Sequence, residues 1–343
     1  MERVWWNNIP TAARYVRDIV DAIHEERSMV LLLPKTTPWR DALRQIVEEQ
    51  IASIADRSMC VLPCPEEEPG RYLLRTSCPE ERRLAYRSTK SHAEFLAKED
   101  CVLHTRILWI EIARTVDASA WVDFIGAYQH AMERDVPRAT FILALSEDCP
   151  QCRGQRGVPY SVLAKKVSEY DRYAFAVLAA SDGDGQRHLR VYLASLAATL
   201  CGGDIELMAV CSRRGMAFLR DPQGVLRQIA ENEVRSDGSP FDITGVVEKM
   251  QHLIWRTQLK LIFPVIEDRR QYYIEQMRRQ LEANRDVPED IEIGPLFYRV
   301  CQKIVTCTPT AFAELEMLKD ARNKLAHLDE LPFETVDLIL RHQ

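Results

Sequence analysis

Arg322, Asn323 and His327 are the residues whose types and spacing best suit chemistry; they lie in the stretch Leu318-Lys-Asp-Ala-Arg-Asn-Lys-Leu-Ala-His-Leu328. On a helix, Asn323 and His327 stand four apart and share a face, and the long side chain of Arg322 reaches across from the neighbouring position. An imidazole gives and takes protons near neutral pH. A guanidinium grips a phosphate through two parallel hydrogen bonds and stabilises charge that builds on it. The set therefore suits metal-free proton transfer at a phosphate. The same residues could instead tie their helix to its neighbours by buried hydrogen bonds, with Asp320 or Asp329 pairing to Arg322 or His327.

Other candidates carry less. A loop that cradles phosphate needs glycines, so that backbone N–H groups close around the anion, and a Lys-Ser/Thr pair for charge and Mg²⁺. Residues 33–39 read LPKTTPW, with no glycine and with two prolines that remove donors. Lys35 and Thr36 are the only nucleotide-type residues there, and Glu111 is a single acid at the end of a later apolar run. Nucleotide hydrolysis is not expected; binding without hydrolysis stays open. Cys149-Pro-Gln-Cys152 and Cys60-Val-Leu-Pro-Cys64, with Cys78 following, would hold zinc only if the fold united four ligands. Reduced thiols are the preferred reading, and neither a metal nor another cofactor is expected. Ser181-Asp-Gly-Asp-Gly185 has no glutamate to close a calcium loop and reads as a turn. The remaining histidines are dispersed, without His-x-x-x-His spacing, and no Gly-x-Ser-x-Gly stretch occurs.

These residues hang on two kinds of pattern. Five short apolar runs, at 29–34, 59–62, 107–112, 140–145 and 174–179, suit strands buried on both faces. Helical spacing lies between them, as in 39–57 (Leu43, Ile46, Val47, Ile51, Ile54) and 118–134 (Trp121, Phe124, Ile125, Tyr128). Strands alternating with helices imply a mostly parallel sheet covered on both faces. After the turn residues Ser236-Asp-Gly-Ser-Pro240 the pattern becomes wholly helical: 246–282, then 296–305, then 311–327. Pro264 should kink or split the first of these. Glu267, Arg269 and Arg270 beyond it form either a buried ion-pair network or a solvated face.

The first two-thirds resemble the AAA+/STAND branch of P-loop ATPases. The run at 29–34 stands where such proteins place the Walker A loop, 107–112 where they place Walker B, and 140–145 at the sensor strand. Residues 186–230, with Leu200-Cys-Gly-Gly-Asp204 and Asp221-Pro222, resemble the small helical lid. The Arg322-to-His327 spacing resembles the R-x4-H motif of HEPN domains, helical bundles that are commonly paired and include metal-independent ribonucleases. Together these resemblances imply an α/β plus all-α protein: a mostly parallel five-stranded sheet with flanking helices and a helical lid, followed by a helical bundle. The expected domains are an ATPase-like domain lacking Walker A (1–185), a lid-like region (186–235) and a HEPN-like domain (241–343). The implied function is a non-catalytic binding or regulatory component of a prokaryotic multi-protein system, of the antiviral defence kind. Protein partners, RNA and a homodimer through the C-terminal domain are its expected contacts. The alternative is a metal-independent endoribonuclease acting on the RNA 2′-hydroxyl, with His327 as acid/base, Arg322 on the phosphate and Asn323 orienting them.

Composition agrees with an intracellular chain. Of 343 residues, 46% are hydrophobic and 28% charged, enough apolar material for two cores. No apolar run approaches the ~18 residues that span a bilayer. Residues 1–10 carry charge and two tryptophans instead of an apolar secretion segment, so a cytoplasmic location is expected. The net charge of −6, with no strongly basic segment, argues against a duplex-DNA binder, while a local basic site stays open.

Overall fold

Five strands build the first half: β1 (Met29–Leu32), β2 (Ser58–Pro63), β3 (Arg106–Ile112), β4 (Thr140–Leu145) and β5 (Tyr160–Val162). In this computed structural model the described residues are 1–52, 57–64, 66–98, 103–132, 136–154, 157–163, 167–181 and 187–341. The strands form one parallel sheet in the order β2-β3-β4-β1-β5. The central strands β1 and β4 are buried at every position, as expected of apolar runs covered on both faces. They pair in register from Met29 with Ile142 to Leu32 with Leu145. The edge strands β2 and β5 are only partly covered.

The order has one chemical consequence. From β1 the chain crosses to β2 at one edge, and from β4 it crosses to β5 at the other. The carboxyl ends of β1 and β4 are therefore a topological switch point, where open α/β sheets place a crevice.

Four of the five apolar runs are strands. The fifth, at 174–179, is not: it lies inside the helix Glu169–Ser181. A capping box starts that helix, with the Ser168 N–H donating to Asp171 (2.9 Å) and the Asp171 N–H donating to the Ser168 hydroxyl (3.1 Å). Phe175, Ala176, Ala179 and Ala180 are buried at helical spacing, while Tyr173 and Leu178 are exposed. The fifth strand is instead the three-residue Tyr160–Val162, too short and too polar to show as an apolar run.

Contacts divide the chain into two compact units, Met1–Asp171 and Arg172–Gln343. The second contains no strand among its described residues. The helices Arg190–Cys201, Ile205–Arg214, Met216–Arg220 and Pro222–Asn232, which lie within the lid-like stretch, share this unit with the C-terminal helices. Its spine is the 34-residue helix Met250–Ala283, which runs on through Pro264 without being split. Pro264 and Lys260 are both exposed, so water can satisfy the Lys260 carbonyl that the proline leaves without a donor. Buried Ile262, Val265 and Ile266 anchor the helix on either side.

Three sets of polar contacts hold the neighbouring helices to this spine. Buried Gln258 donates to the Tyr192 hydroxyl (3.1 Å) and the Leu331 carbonyl (3.0 Å), and accepts from the Leu331 N–H (2.7 Å). The Trp255 indole donates to the Leu325 carbonyl (2.8 Å). Arg269 and the Tyr273 hydroxyl both reach Glu314 (2.7 and 2.6 Å), and Arg270 reaches Glu267 and the Ile291 carbonyl (both 2.7 Å). The polar residues beyond Pro264 thus form a part-buried network and not a solvated face. No helix of the described residues is long and apolar enough to cross a membrane.

Candidate functional sites

The switch-point crevice is closed from within. After β1 the chain makes a tight turn, in which the Thr37 N–H donates to the Pro34 carbonyl (2.8 Å). Thr37 and Pro38 are buried, whereas Lys35 and Thr36 are exposed. Trp39 follows in the left-handed region (φ 44°), its carbonyl accepting from the Trp6 indole (3.2 Å), and the helix Arg40–Ile51 begins. Arg40 points back across the strand ends. Its guanidinium donates to the Leu33 carbonyl at the end of β1 (3.2 Å), to the Ala144 carbonyl of β4 (3.3 Å) and to the Ser146 hydroxyl (3.0 Å), and it pairs with Glu111 of β3. The other Glu111 oxygen accepts from the Trp109 indole (2.7 Å).

This arrangement does not fit a nucleotide with its magnesium. A metal needs a carboxylate with a free oxygen, and both oxygens of Glu111 are engaged, one by a cation that repels a second cation. A phosphate needs convergent N–H donors, and Pro34 and Pro38 supply none. No ion pair or hydrogen bond joins Lys35 to Glu111 among the described residues. Sequence reasoning missed Arg40, whose partners Glu111 and Ser146 lie 71 and 106 residues away.

The second candidate site sits at the end of the helix Pro309–Ala326. Thr308 caps its start by accepting from the Ala311 N–H (3.2 Å), with Pro309 at the first helical position. Its far end closes as a Schellman motif. The Asp329 N–H donates to the Lys324 carbonyl (3.0 Å) and the Leu328 N–H to the Leu325 carbonyl (3.3 Å). His327 is the C-cap, and Leu328 takes the left-handed position (φ 66°) that usually belongs to glycine. Asn323 and His327 are exposed, and Arg322 is half-buried. Arg322 pairs with Glu292 (2.9 Å), not with Asp320, which pairs with Lys319 (3.1 Å). The three residues are therefore not sealed inside the bundle.

The cysteines of the two local pairs are free thiols in the core of the first unit or packed against it. Cys149 and Cys152 are buried in the core of the first unit with their sulfurs 2.9 Å apart. Burial, and then the Cys149 neighbour, push the Cys152 thiol up to about 12, which keeps it protonated. Cys60, Cys64 and Cys78 pack on the same core. Among the described residues no group of three His, Cys, Asp or Glu side chains is placed to hold a metal ion. The acidic turn at 182–185 lies outside the described residues.

A third place was not singled out by motif. A groove of about 550 Å³ opens in the first unit between the start of the helix Pro69–Ser77, the connection 86–92 and the helix Thr115–Ala131. The His92 ring inside it is fixed by Glu68 at Nδ1 (2.9 Å) and stacked on Tyr86 (4.7 Å between centroids, 16° between planes). Its only sequence signal was the run of arginines just before it. No family model matches the chain, and no curated protein matches it.

Proposed function

We propose that this chain is a non-catalytic binding component of a multi-protein assembly. A P-loop-like α/β unit without nucleotide chemistry serves as a docking platform, and a helical region carries an exposed contact surface around Arg322, Asn323, His327 and Leu328. The observation that carries this reading is the Arg40 guanidinium, which fills the switch-point crevice and neutralises Glu111. The resemblance to the AAA+/STAND and HEPN families extends it to a cytoplasmic defence-type system with RNA or protein partners and a homodimer through the helical region. Leu328, two-thirds exposed in a strained backbone position beside His327, suits a surface that is covered by a partner.

A titration with ATP and Mg²⁺ tests the platform reading. Wild type and Lys35→Ala should both fail to bind at micromolar ATP. Tight binding that Lys35→Ala abolishes would overturn it.

The second reading, a metal-independent endoribonuclease, is favoured by the accessibility of Asn323 and His327. It is weakened by Glu292, whose carboxylate holds the guanidinium that a scissile phosphate would need. Cleavage of RNA in EDTA by wild type, abolished in folded His327→Ala and Arg322→Ala variants, would establish the nuclease over the binding component.

A further inference from the structure

The excursion between β2 and β3 carries a locally basic stretch in an acidic chain. Residues 71–90 hold six Lys or Arg against two acids, Glu80 and Glu81, in a chain of net charge −6. Arg75 is neutralised by Glu67. Arg71, Arg83, Arg87 and Lys90 have no carboxylate within ion-pair distance among the described residues. Arg83 donates to the Arg75 carbonyl (3.2 Å), and Arg87 donates to the Leu84 and Tyr86 carbonyls (2.8 and 3.1 Å). Those hydrogen bonds fix the guanidinium groups in place and leave their charge unneutralised.

The chain on either side of Arg87, Tyr86 before it and residues 88–92 after it, lines the groove. Tyr86, Lys90, His92, Phe124 and Asp123 line it. Its aromatic wall is held firmly: Tyr86 stacks on His92, packs edge-on against Phe95 (5.3 Å) and donates to the Lys90 carbonyl (3.1 Å). Gly70 allows the close approach behind it, since a Cβ there would stand 2.4 Å from the Cβ of His92. The Glu68 charge is spent on the Gly70 and Arg71 N–H groups (both 2.8 Å) and on His92.

The charges are sorted by position. Asp123 is the acid left free to face a ligand inside the groove, and of the four unneutralised cations only Lys90 lines it. A phosphate is favoured outside, along the arginines, and a flat group with N–H donors is favoured inside. A free nucleotide needs its phosphate and base in one cavity; a strand does not. We propose that this surface binds single-stranded nucleic acid, with the phosphodiester backbone tracked by Arg83, Arg87 and Lys90 and one unstacked base placed against Tyr86 and His92 above Asp123. The site is separate from the C-terminal residues and does not depend on the reading of them.

Fluorescence anisotropy of a labelled 12-nucleotide oligo(U) with the full chain tests this. Affinity should fall steeply between 50 and 200 mM salt. The double variant Arg83→Glu/Arg87→Glu should bind at least tenfold more weakly, with the slope of log K against log salt reduced by about 0.7 for each phosphate that is no longer neutralised. Tyr86→Ala should lose about tenfold with the slope retained. Lys260→Glu, an exposed charge in the second unit, should bind as wild type. Oligo(dT) in parallel separates DNA from RNA as the source of the strand. Thermal melts confirm that the surface variants stay folded. Salt-independent binding, an arginine double variant that binds like wild type, displacement by equimolar uridine monophosphate, or a loss confined to Arg322→Glu would each overturn the proposal.

Discussion

At the residue scale, Arg40 supplies from within the chain the positive charge that a nucleotide site would use for its ligand. Its pair with Glu111 is partly covered, with side-chain exposures of 23% and 35%. Removing one partner of such a pair strands the other beside Trp109 and two strand-end carbonyls. Arg40→Met should therefore lower the stability of the first unit by about 2 kcal/mol in urea unfolding. Arg40→Met/Glu111→Leu should lose less than the sum of its single variants, because the stranded carboxylate is gone. A single variant as stable as wild type would mean that Arg40 does not hold the crevice. Lys35 and Thr36 stand after the first strand, where a nucleotide site would need them, and their exposure fits the two prolines around them. Glu111 was legible as an acid at a strand end. Its neutralisation was not, because it depends on a partner 71 residues earlier in the chain.

At the element scale, two helices carry residues that oppose their backbone. Leu328 closes the helix Pro309–Ala326 with a Schellman motif at φ 66°, where a Cβ costs roughly 1–2 kcal/mol. Leu328→Gly should raise stability by about 0.5–1 kcal/mol after the greater freedom of glycine in the unfolded chain is counted. It should weaken any partner interaction made by that exposed side chain. Pro264 removes one hydrogen bond from the helix Met250–Ala283; Pro264→Ala should restore a bond to the Lys260 carbonyl and stabilise by about 1–2 kcal/mol. Circular-dichroism melts of both variants read the effects, and a destabilised Pro264→Ala would mean that the proline bends the helix to fit its neighbours. The sheet was largely legible, because a strand buried on both faces writes itself as a continuous apolar run, as in TFILAL of β4. The run at 174–179 misled because a helix rich in alanine looks alike over six residues. The decisive signal was Ser168 with Asp171, a reciprocal cap at its start. Split or unbroken, the helix at Pro264 could not be settled by local chemistry, since flanking burial outweighs one missing hydrogen bond.

At the scale of the whole molecule, hydrogen-bonded carboxylates in both units couple the fold to pH, and three of them act in the same direction. Burial pushes the Asp171 carboxyl up, but hydrogen bonds from Ser168 and Thr11 outweigh it and hold the group below its ordinary 3.8. The same contest lowers Asp337, where His188 (2.7 Å) and Arg341 outweigh burial. Asp237 is lowered by hydrogen bonds from Ser239. A carboxyl lowered in the folded state binds fewer protons than it does unfolded, so its contribution is present above the ordinary value and disappears as pH falls through the folded one. Glu330, raised by burial, works the other way but stands alone against these three. The urea midpoint should therefore hold from pH 7 to about 5 and drop between pH 4 and 2. Asp171→Asn should lose about 1–3 kcal/mol at pH 7 and show a shallower acid limb, because the proton uptake it would have contributed is gone. A midpoint that stays level down to pH 3 would mean that these hydrogen bonds are no stronger in the folded chain than water provides in the unfolded one.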